Sequence, residues 1–324
     1  MNEGKLTVAL EPAVGFSRPL ALTPGQDLKG YLAAHAGRAA LFLITCSSVL
    51  AVLLIFIFVI REAIPFLMQF SLVEFLTGTG WYPQAEQPKF GALALIVGSF
   101  YVTAAALVFA LPVGIMAAVF LSDIVTFRVR GIVKPVIELL AAIPSVAYGF
   151  FAVLVLAPLM QRRFGFSTGT NALNASMILA AMALPTIISV AEDSISALGR
   201  DLREASYSLG ATRLETVFRV VIPAAHSGII AAVVLGMMRA IGETMVVWMA
   251  SGNASQIPHP WWDLSQSVRT MTATIAGDMG ETVKGSDHYG ALFAVGVVLL
   301  VLTFSLNIVS EYFLTRAKKA SGRQ

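Results

Sequence analysis

The stretch GIIAAVVLGMMRAIGETMVVWMA, residues Gly228–Ala250, decides the fold. It holds 23 residues and only two charged side chains, Arg239 and Glu243. At about 1.5 Å per residue, a helix of this length crosses the roughly 30 Å hydrocarbon core of a bilayer. The whole chain agrees, because 57% of its 324 residues are hydrophobic and 13% are charged. Soluble domains carry about 25% charged residues, so we predict an all-α, polytopic membrane protein.

Six apolar stretches reach or approach the length of a membrane span. They are Ala39–Ile60, Gly91–Leu121, Val136–Met160, Ala175–Ala191, Gly228–Ala250 and Tyr289–Leu314. Prolines interrupt the second, third and fourth of them, at Pro112, Pro144 and Pro185. We expect bends there, because proline removes a hydrogen bond from the helix.

Lysine and arginine set the orientation, since they are enriched in cytoplasmic loops. With the N-terminus inside, 15 of these residues fall on the cytoplasmic side and six outside, and Arg239 is left within a span. Both termini are therefore predicted to be cytoplasmic. The transmembrane domain covers 39–316, between a flexible tail at 1–38, which holds three prolines, and a short tail at 317–324.

The most patterned hydrophilic stretch is GRDLREASYSLGATRLETVFRVVIP, Gly199–Pro223, on the predicted cytoplasmic side. Gly210 suits the left-handed residue that follows a helix, and Thr212 with Glu215 fits a capping box that begins the next one. Two short helices with a turn between them would offer a docking surface. An ordinary loop with two helical turns is the alternative.

This stretch resembles the EAA signature of ABC-importer permeases, E-A-A, three residues, Gly, nine residues, I-x-L-P. The corresponding residues here are Glu204, Ala205, Ser206, Gly210 and, after Val220-Val221-Ile222, Pro223. The resemblance implies a type I ABC importer permease fold. It also implies that 199–223 is the coupling loop, which seats in the ATP-hydrolysing subunit.

Two further stretches, ELLAAIPSVAYGF at Glu138–Phe150 and RAIGETMVV at Arg239–Val247, resemble the PstC-type permeases of phosphate ABC importers. That resemblance implies a bacterial inner-membrane subunit that carries phosphate and contacts lipid. Its partners would be a PstA-like permease, two ATP-binding subunits and an extracytoplasmic phosphate-binding protein. Pro144, Ser145 and Tyr148 lie at family-like positions, where they either bend the helix or line a gate.

No G-x-x-x-x-G-K-[ST] segment occurs in the chain, so ATP and Mg²⁺ are expected on the partner ATPase. The chain is then a non-catalytic subunit without a cofactor of its own. Its four histidines are scattered without metal-ligand spacing. No nucleic-acid partner is expected.

On a continuous helix, Arg239 and Glu243 lie about one turn apart on one face. Small residues border that face, so we expect both charges to point into the protein. One hypothesis is an ion pair that fixes helix packing. The other is a passage in which Arg239 offers positive charge to a crossing anion, Glu243 balances it in the empty state, and Thr244 is a neighbour along the route.

Other charged residues near the spans are expected to be peripheral. Glu192 and Asp193, near the end of the fourth span, are predicted to be solvated, and Glu138 either to be solvated or to pair with Lys134. Two alternative functions stay open. One is a permease for another oxyanion, such as sulfate or molybdate, and the other is a secondary transporter or channel that needs no ATPase.

Overall fold

The computed structural model describes the backbone of residues 24–320 and the side chains of residues 30–309 with 311, 312 and 315. Parts of both predicted tails, 1–23 and 321–324, lie outside the described residues. From Pro24 onward the chain is already helical. The chain divides into two compact units after Ile57, and the described part of the first unit belongs entirely to helix α1, Pro24–Gln69.

The second unit contains thirteen further α-helices and a two-stranded hairpin among the described residues. In chain order they are α2 Leu72–Thr77, β1 Trp81–Tyr82, β2 Lys89–Phe90, α3 Leu93–Val119, α4 Phe127–Ala141, α5 Ser145–Phe151, α6 Ala157–Phe164, α7 Ala172–Ser196, α8 Asp201–Ser208, α9 Arg213–Thr216, α10 Ile222–Ala224, α11 His226–Ile241, α12 Met245–Ala250, α13 Met271–Asp278 and α14 Asp287–Ala320. Short π-helical turns at Phe120–Ile124, Ala152–Leu156 and Val217–Val221 extend or join these helices.

Five described helical stretches are long and apolar enough to cross a membrane, and a sixth is a bent pair. The five are Gly30–Gln69, Leu93–Ile124, Ser145–Phe164, Ala172–Ser196 and Asp287–Val309. The bent pair joins Arg213–Ala224 to His226–Ile241 at 72°. The predicted all-α, polytopic architecture is confirmed, with five candidate spans, or six with the bent pair, among the described residues. The predicted fifth span, Gly228–Ala250, overlaps only the second member of that pair, because Arg213–Ala224 falls within the Gly199–Pro223 stretch.

Two predicted spans are interrupted. The third was placed at Val136–Met160, but α4 ends at Ala141 and a new helix begins at Ser145. Pro144 precedes that helix with φ −58° and ψ 137°, outside the helical region, as expected for a residue whose ring hinders a continuing helix. The fifth was placed as one helix over Gly228–Ala250, but it breaks between Ile241 and Met245 without a proline.

Helix α7 forms the centre of the core, packed between α3 and α11. Small residues make this packing possible, since they let neighbouring helices approach closely. Gly114 of α3 and Gly236 of α11 both face Ile187 of α7, which is fully buried. A Cβ atom added at either glycine would lie less than 3 Å from the Ile187 side chain, at 2.7 Å and 2.6 Å.

We expect Gly98→Ala to destabilise the protein. A Cβ atom at Gly98 of α3 would lie 2.3 Å from the backbone oxygen of Arg269, and such overpacking costs about 1–3 kcal/mol. The matched control is Gly131→Ala on α4, where the added Cβ has no neighbour within 4 Å and alanine is the better helix former. Thermal unfolding in detergent should show a lower midpoint for Gly98→Ala alone. Equal midpoints would contradict the close approach.

Candidate functional site: two helix breaks around Arg239

The break after α4 and the end of α11 meet at Arg239. Its Nη2 donates to the backbone oxygen of Ala141 at 3.4 Å, across 98 residues of sequence. The hydroxyl of Tyr148 donates to the neighbouring oxygen of Leu140 at 3.0 Å. These two oxygens belong to the last turn of α4, where carbonyls lose their regular helical partners, although that of Leu140 also accepts from the Ile143 N–H at 3.4 Å. A cation there is also favoured by the helix dipole.

Arg239 keeps unused hydrogen-bonding capacity. Its Nε is buried and has no acceptor, although guanidinium groups carry five donors. Among the described residues, no carboxylate lies within ion-pair distance of Arg239. The acceptor that orients the guanidinium group of Arg239 is therefore a neutral backbone carbonyl. The positive charge of Arg239 is left available to an anion.

The predicted placement of Arg239 and Glu243 on one continuous helical face is wrong. Helix α11 ends at Ile241, and Gly242, Glu243 and Thr244 lie between it and α12. No ion pair joins Arg239 to Glu243 in the described chain. The hypothesis that such a pair fixes helix packing therefore loses its basis.

A contact from another helix stabilises the break at Glu243. The Thr272 hydroxyl donates to the backbone oxygen of Glu243 at 2.9 Å, which satisfies a carbonyl that the interrupted helix leaves free. Thr272 lies in the buried first turn of α13, whose Met271 N–H donates to Ser99 Oγ at 3.0 Å. Sequence reasoning missed Thr272. The threonine-rich run TMTATI at 270–275 was the available signal.

We expect Thr272→Val to destabilise the protein and Thr272→Ser to preserve it. Valine keeps the shape of threonine but leaves the Glu243 carbonyl without its donor, a loss of about 1–3 kcal/mol for a buried group. Thermal unfolding of the two variants in detergent measures the difference. If valine and serine gave the same midpoint, the hydroxyl would have no part in holding the break.

The helices that follow the two breaks pack against each other. Gly149 of α5 lies against Met249 of α12, where an added Cβ would come within 2.5 Å of the sulfur. Pro144 is exposed, whereas Ser145 and Tyr148 are half-buried. Pro144 thus lies at a helix break, and whether it bends the span or lines a gate stays a prediction. Thr244 directly precedes α12, and its predicted place along the route also stays a prediction.

The structure of the Gly199–Pro223 stretch follows the sequence closely. Thr212 and Glu215 form the predicted capping box, and Gly210 has a φ of +83° between the two helices. Ser206, which replaces the third residue of the E-A-A signature, is buried and its hydroxyl lies 2.9 Å from that of Thr216. The prediction of two short helices with a turn is confirmed.

The outer surface of this stretch is exposed in the described chain. Glu204, Ala205 and Pro223 are exposed. Leu209, Leu214 and Phe218 carry exposed fractions of 89%, 70% and 62%. Apolar side chains this exposed, close together on a compact element, are typical of a surface that a protein partner covers.

The capping box also lowers the pKa of the Glu215 carboxyl group. The backbone N–H and hydroxyl of Thr212 donate to Glu215 and lower its pKa, with a smaller contribution from Arg219. A carboxyl group with a lowered folded-state pKa stabilises the fold above its unfolded pKa, and this contribution is lost as pH falls through the folded value. The start of the second helix is therefore fully capped at neutral pH.

The prediction that Glu192 is solvated is wrong. Its side chain is fully buried at the end of α7 and pairs with Arg130 and with Lys134, the latter at 2.7 Å. Asp193 is 62% exposed as predicted, and it too contacts Lys134. Lys134 thus reaches α7 instead of Glu138, whose Oε1 accepts a hydrogen bond from Ser189 at 3.4 Å.

Known proteins resemble this chain in sequence. Residues 110–319 match the family described as binding-protein-dependent transport system inner membrane component. A probable ABC transporter permease protein, YqgH, of Bacillus subtilis is 41% identical over 248 residues, which cover 76% of this chain and 79% of the relative. The phosphate transport system permease protein PstC of Mesorhizobium japonicum is 36% identical over 268 residues, 77% of this chain and 80% of the relative.

A solved structure supports the fold independently. The inward-facing MetNI methionine ABC transporter superposes with a TM-score of 0.52 at 18% identity, over 68% of this chain and 92% of that chain. The protein belongs to the family of binding-protein-dependent transport system inner membrane components. It is a permease subunit of an ABC importer with the type I fold, so the alternative of a secondary transporter or channel is removed.

Proposed function

We propose that this protein is the PstC-type subunit of an ATP-driven phosphate importer and forms half of the translocation pathway. The relative from Mesorhizobium japonicum, 36% identical, is a phosphate transport permease. The observation that carries the proposal is Arg239, which is half-buried, has no carboxylate partner among the described residues, and has a buried Nε that lacks an acceptor.

Arg239 is suited to bind a tetrahedral oxyanion during its passage. A guanidinium group donates two parallel hydrogen bonds to phosphate oxygens, which a lysine ammonium group cannot do. The carbonyl of Ala141 accepts from Nη2 at 3.4 Å, which is long for such a hydrogen bond. The weak contact orients the group and is easily exchanged for a phosphate oxygen.

Glu243 lies in the break that follows α11, and no ion pair joins it to Arg239 in the described chain. The guanidinium donors of Arg239 therefore remain available to an anion. We propose that the negative charge of Glu243 repels the bound anion and so favours its release.

The subunit works through partners. An ABC importer permease implies an ATPase and a solute-binding protein, and we propose two ATP-binding subunits, a PstA-like second permease and an extracytoplasmic phosphate-binding protein. The exposed surface of Gly199–Pro223 is the proposed coupling loop to the ATPase. We propose that both termini lie in the cytoplasm, that residues 39–316 form the transmembrane domain in the bacterial inner membrane, and that hydrolysis of ATP occurs only on the partner.

The experiment is uptake of labelled phosphate by vesicles that contain the assembled complex and internal ATP, with sulfate and molybdate as competitors. We expect ATP-dependent uptake of phosphate that neither competitor reduces when equimolar. Uptake of sulfate or molybdate in place of phosphate would assign the chain to another oxyanion importer. Uptake that is independent of ATP would contradict the proposal altogether.

A further inference from the structure

A chain of polar contacts begins at the proposed coupling loop. Arg203 of α8 pairs with Asp123, its Nε donating to Oδ1 at 2.6 Å, and both side chains are largely buried. The same guanidinium donates to the backbone oxygens of Gly199 and Ile195. Asp123 lies in the π-helical turn that extends α3. Helix α8 is therefore fastened both to the end of α3 and to the end of α7.

The contacts continue into α7. Ser122, next to Asp123, places its hydroxyl 3.3 Å from that of Ser196. The Ser196 hydroxyl also lies 2.7 Å from Glu192 Oε1, to which it donates. Ser196 and Glu192 are one helical turn apart on α7. A displacement of the end of α3 would therefore also displace Glu192 through these two hydrogen bonds.

Glu192 then holds helix α4. Its buried carboxylate is shared by Arg130 and Lys134, which are separated by one turn of α4. A buried ion pair that loses one partner leaves an uncompensated charge, so its members stay together when the helices move. In contrast, α4 has no fully buried residue among its 15. Polar contacts, more than apolar packing, fix α4 to the rest of the chain.

The far end of α4 reaches the proposed anion site. Leu140 and Ala141, in its last turn, provide the oxygens that accept from Tyr148 and Arg239. Helix α4 stays continuous from Phe127 to Ala141 although Pro135 lies within it, so we expect a shift at Lys134 to displace the carbonyl that orients Arg239.

We propose that Glu192 is a positioning residue that transmits movement of the coupling loop through α4 to Arg239. The route is Arg203, Asp123, Ser122, Ser196, Glu192 and α4. It rests on the proposed function for the role of Arg239 and for the docking of the ATPase to the loop. It does not depend on which anion is carried.

A cysteine reporter in the α4–α5 break tests this without any transported anion. Ile143 is 38% exposed, and Cys46 is the one cysteine of the chain. The parent is therefore Cys46→Ser with Ile143→Cys, assembled with its ATPase in vesicles. We measure the maleimide labelling rate of this chain with and without ATP plus vanadate, and ATP hydrolysis alongside.

In the parent, trapping with ATP and vanadate should change the labelling rate by at least about fivefold, the lower end of coupling between distant sites. Adding Glu192→Gln should abolish this change while ATP hydrolysis continues, because glutamine keeps the size of the side chain but cannot bind two cations. The matched control is Asp193→Asn, which also touches Lys134 but is exposed, and it should keep the change.

A purely structural role for Glu192 predicts a different outcome, a lower thermal midpoint with an unchanged labelling response. That outcome would overturn the proposal, as would a parent whose labelling rate does not respond to nucleotide. If Glu192→Gln failed to assemble, Arg203→Gln cuts the same route at its first step, because it removes the contacts of α8 with both Asp123 and Ile195, and an intact response in that variant would count against the proposal. Failure of phosphate uptake alone would affect the proposed function and leave this result standing.

Discussion

Replacing Arg239 by alanine should lower ATP-dependent phosphate uptake by at least about 100-fold, with the complex still assembled. Two hydrogen bonds from a charged donor to phosphate contribute about 1.5–3 kcal/mol each, and each 1.4 kcal/mol is tenfold in an equilibrium constant. The initial rate of labelled phosphate uptake in vesicles measures the effect. The size of the loss follows from the unpaired donors of Arg239.

Two comparisons sharpen this prediction. Arg239→Lys keeps the charge but loses the two parallel donors, so we expect a loss between those of the alanine variant and the wild type. Arg163→Ala removes an exposed arginine at the end of α6 and should leave uptake unchanged. Wild-type uptake in Arg239→Ala would show that the anion passes without this side chain.

Leu209→Glu should reduce uptake by more than about tenfold and release the ATPase from the purified complex. Leu209 is 89% exposed on the proposed coupling loop. Truncating a side chain central to a protein interface often costs about 2 kcal/mol or more, and a buried unpaired carboxylate adds a desolvation cost. Co-purification of the ATPase and phosphate uptake are measured together.

The control for Leu209→Glu is Val283→Glu. Val283 is 76% exposed in the connection between α13 and α14, far along the chain from the coupling loop. It receives the same carboxylate and should retain both the ATPase and uptake. If the two variants behaved alike, the apolar surface of the loop would have no special part in docking.

Local signals in the sequence are sufficient to predict the structure of the proposed coupling loop. The capping box depends on Thr212 and Glu215, three residues apart, and Gly210 adopts its positive φ within one turn. Contacts of this range are set by the chain itself. The lengths of the apolar spans could also be predicted from the sequence, because the thickness of the bilayer fixes how many residues a span needs.

The arrangement around Arg239 depends on residues distant in sequence and could not be predicted in this way. Glu243 lies outside the helix, and Thr272, 29 residues later, donates to its carbonyl. Arg239 turns to Ala141, 98 residues earlier. Spacing alone placed Arg239 and Glu243 on one face, since a run without proline predicts an unbroken helix.

Glu192 was misplaced for a related reason. Position near the end of a span predicts solvation, but here two cations from α4 cover the carboxylate, one of them at 2.7 Å. Arg130 and Lys134 lie 62 and 58 residues earlier in the chain. The environment of a charged residue at the end of a span can therefore be assigned only when the neighbouring helix is known.

The most direct measurement is a structure of the assembled transporter with phosphate, trapped with ATP and vanadate. We predict a phosphate ion whose oxygens lie about 3 Å from the Nε and Nη atoms of Arg239, with the Ala141 carbonyl displaced from the guanidinium group. Arg239 enclosed by protein with no passage beside it, or turned toward the lipid while phosphate occupies another route, would contradict the central claim.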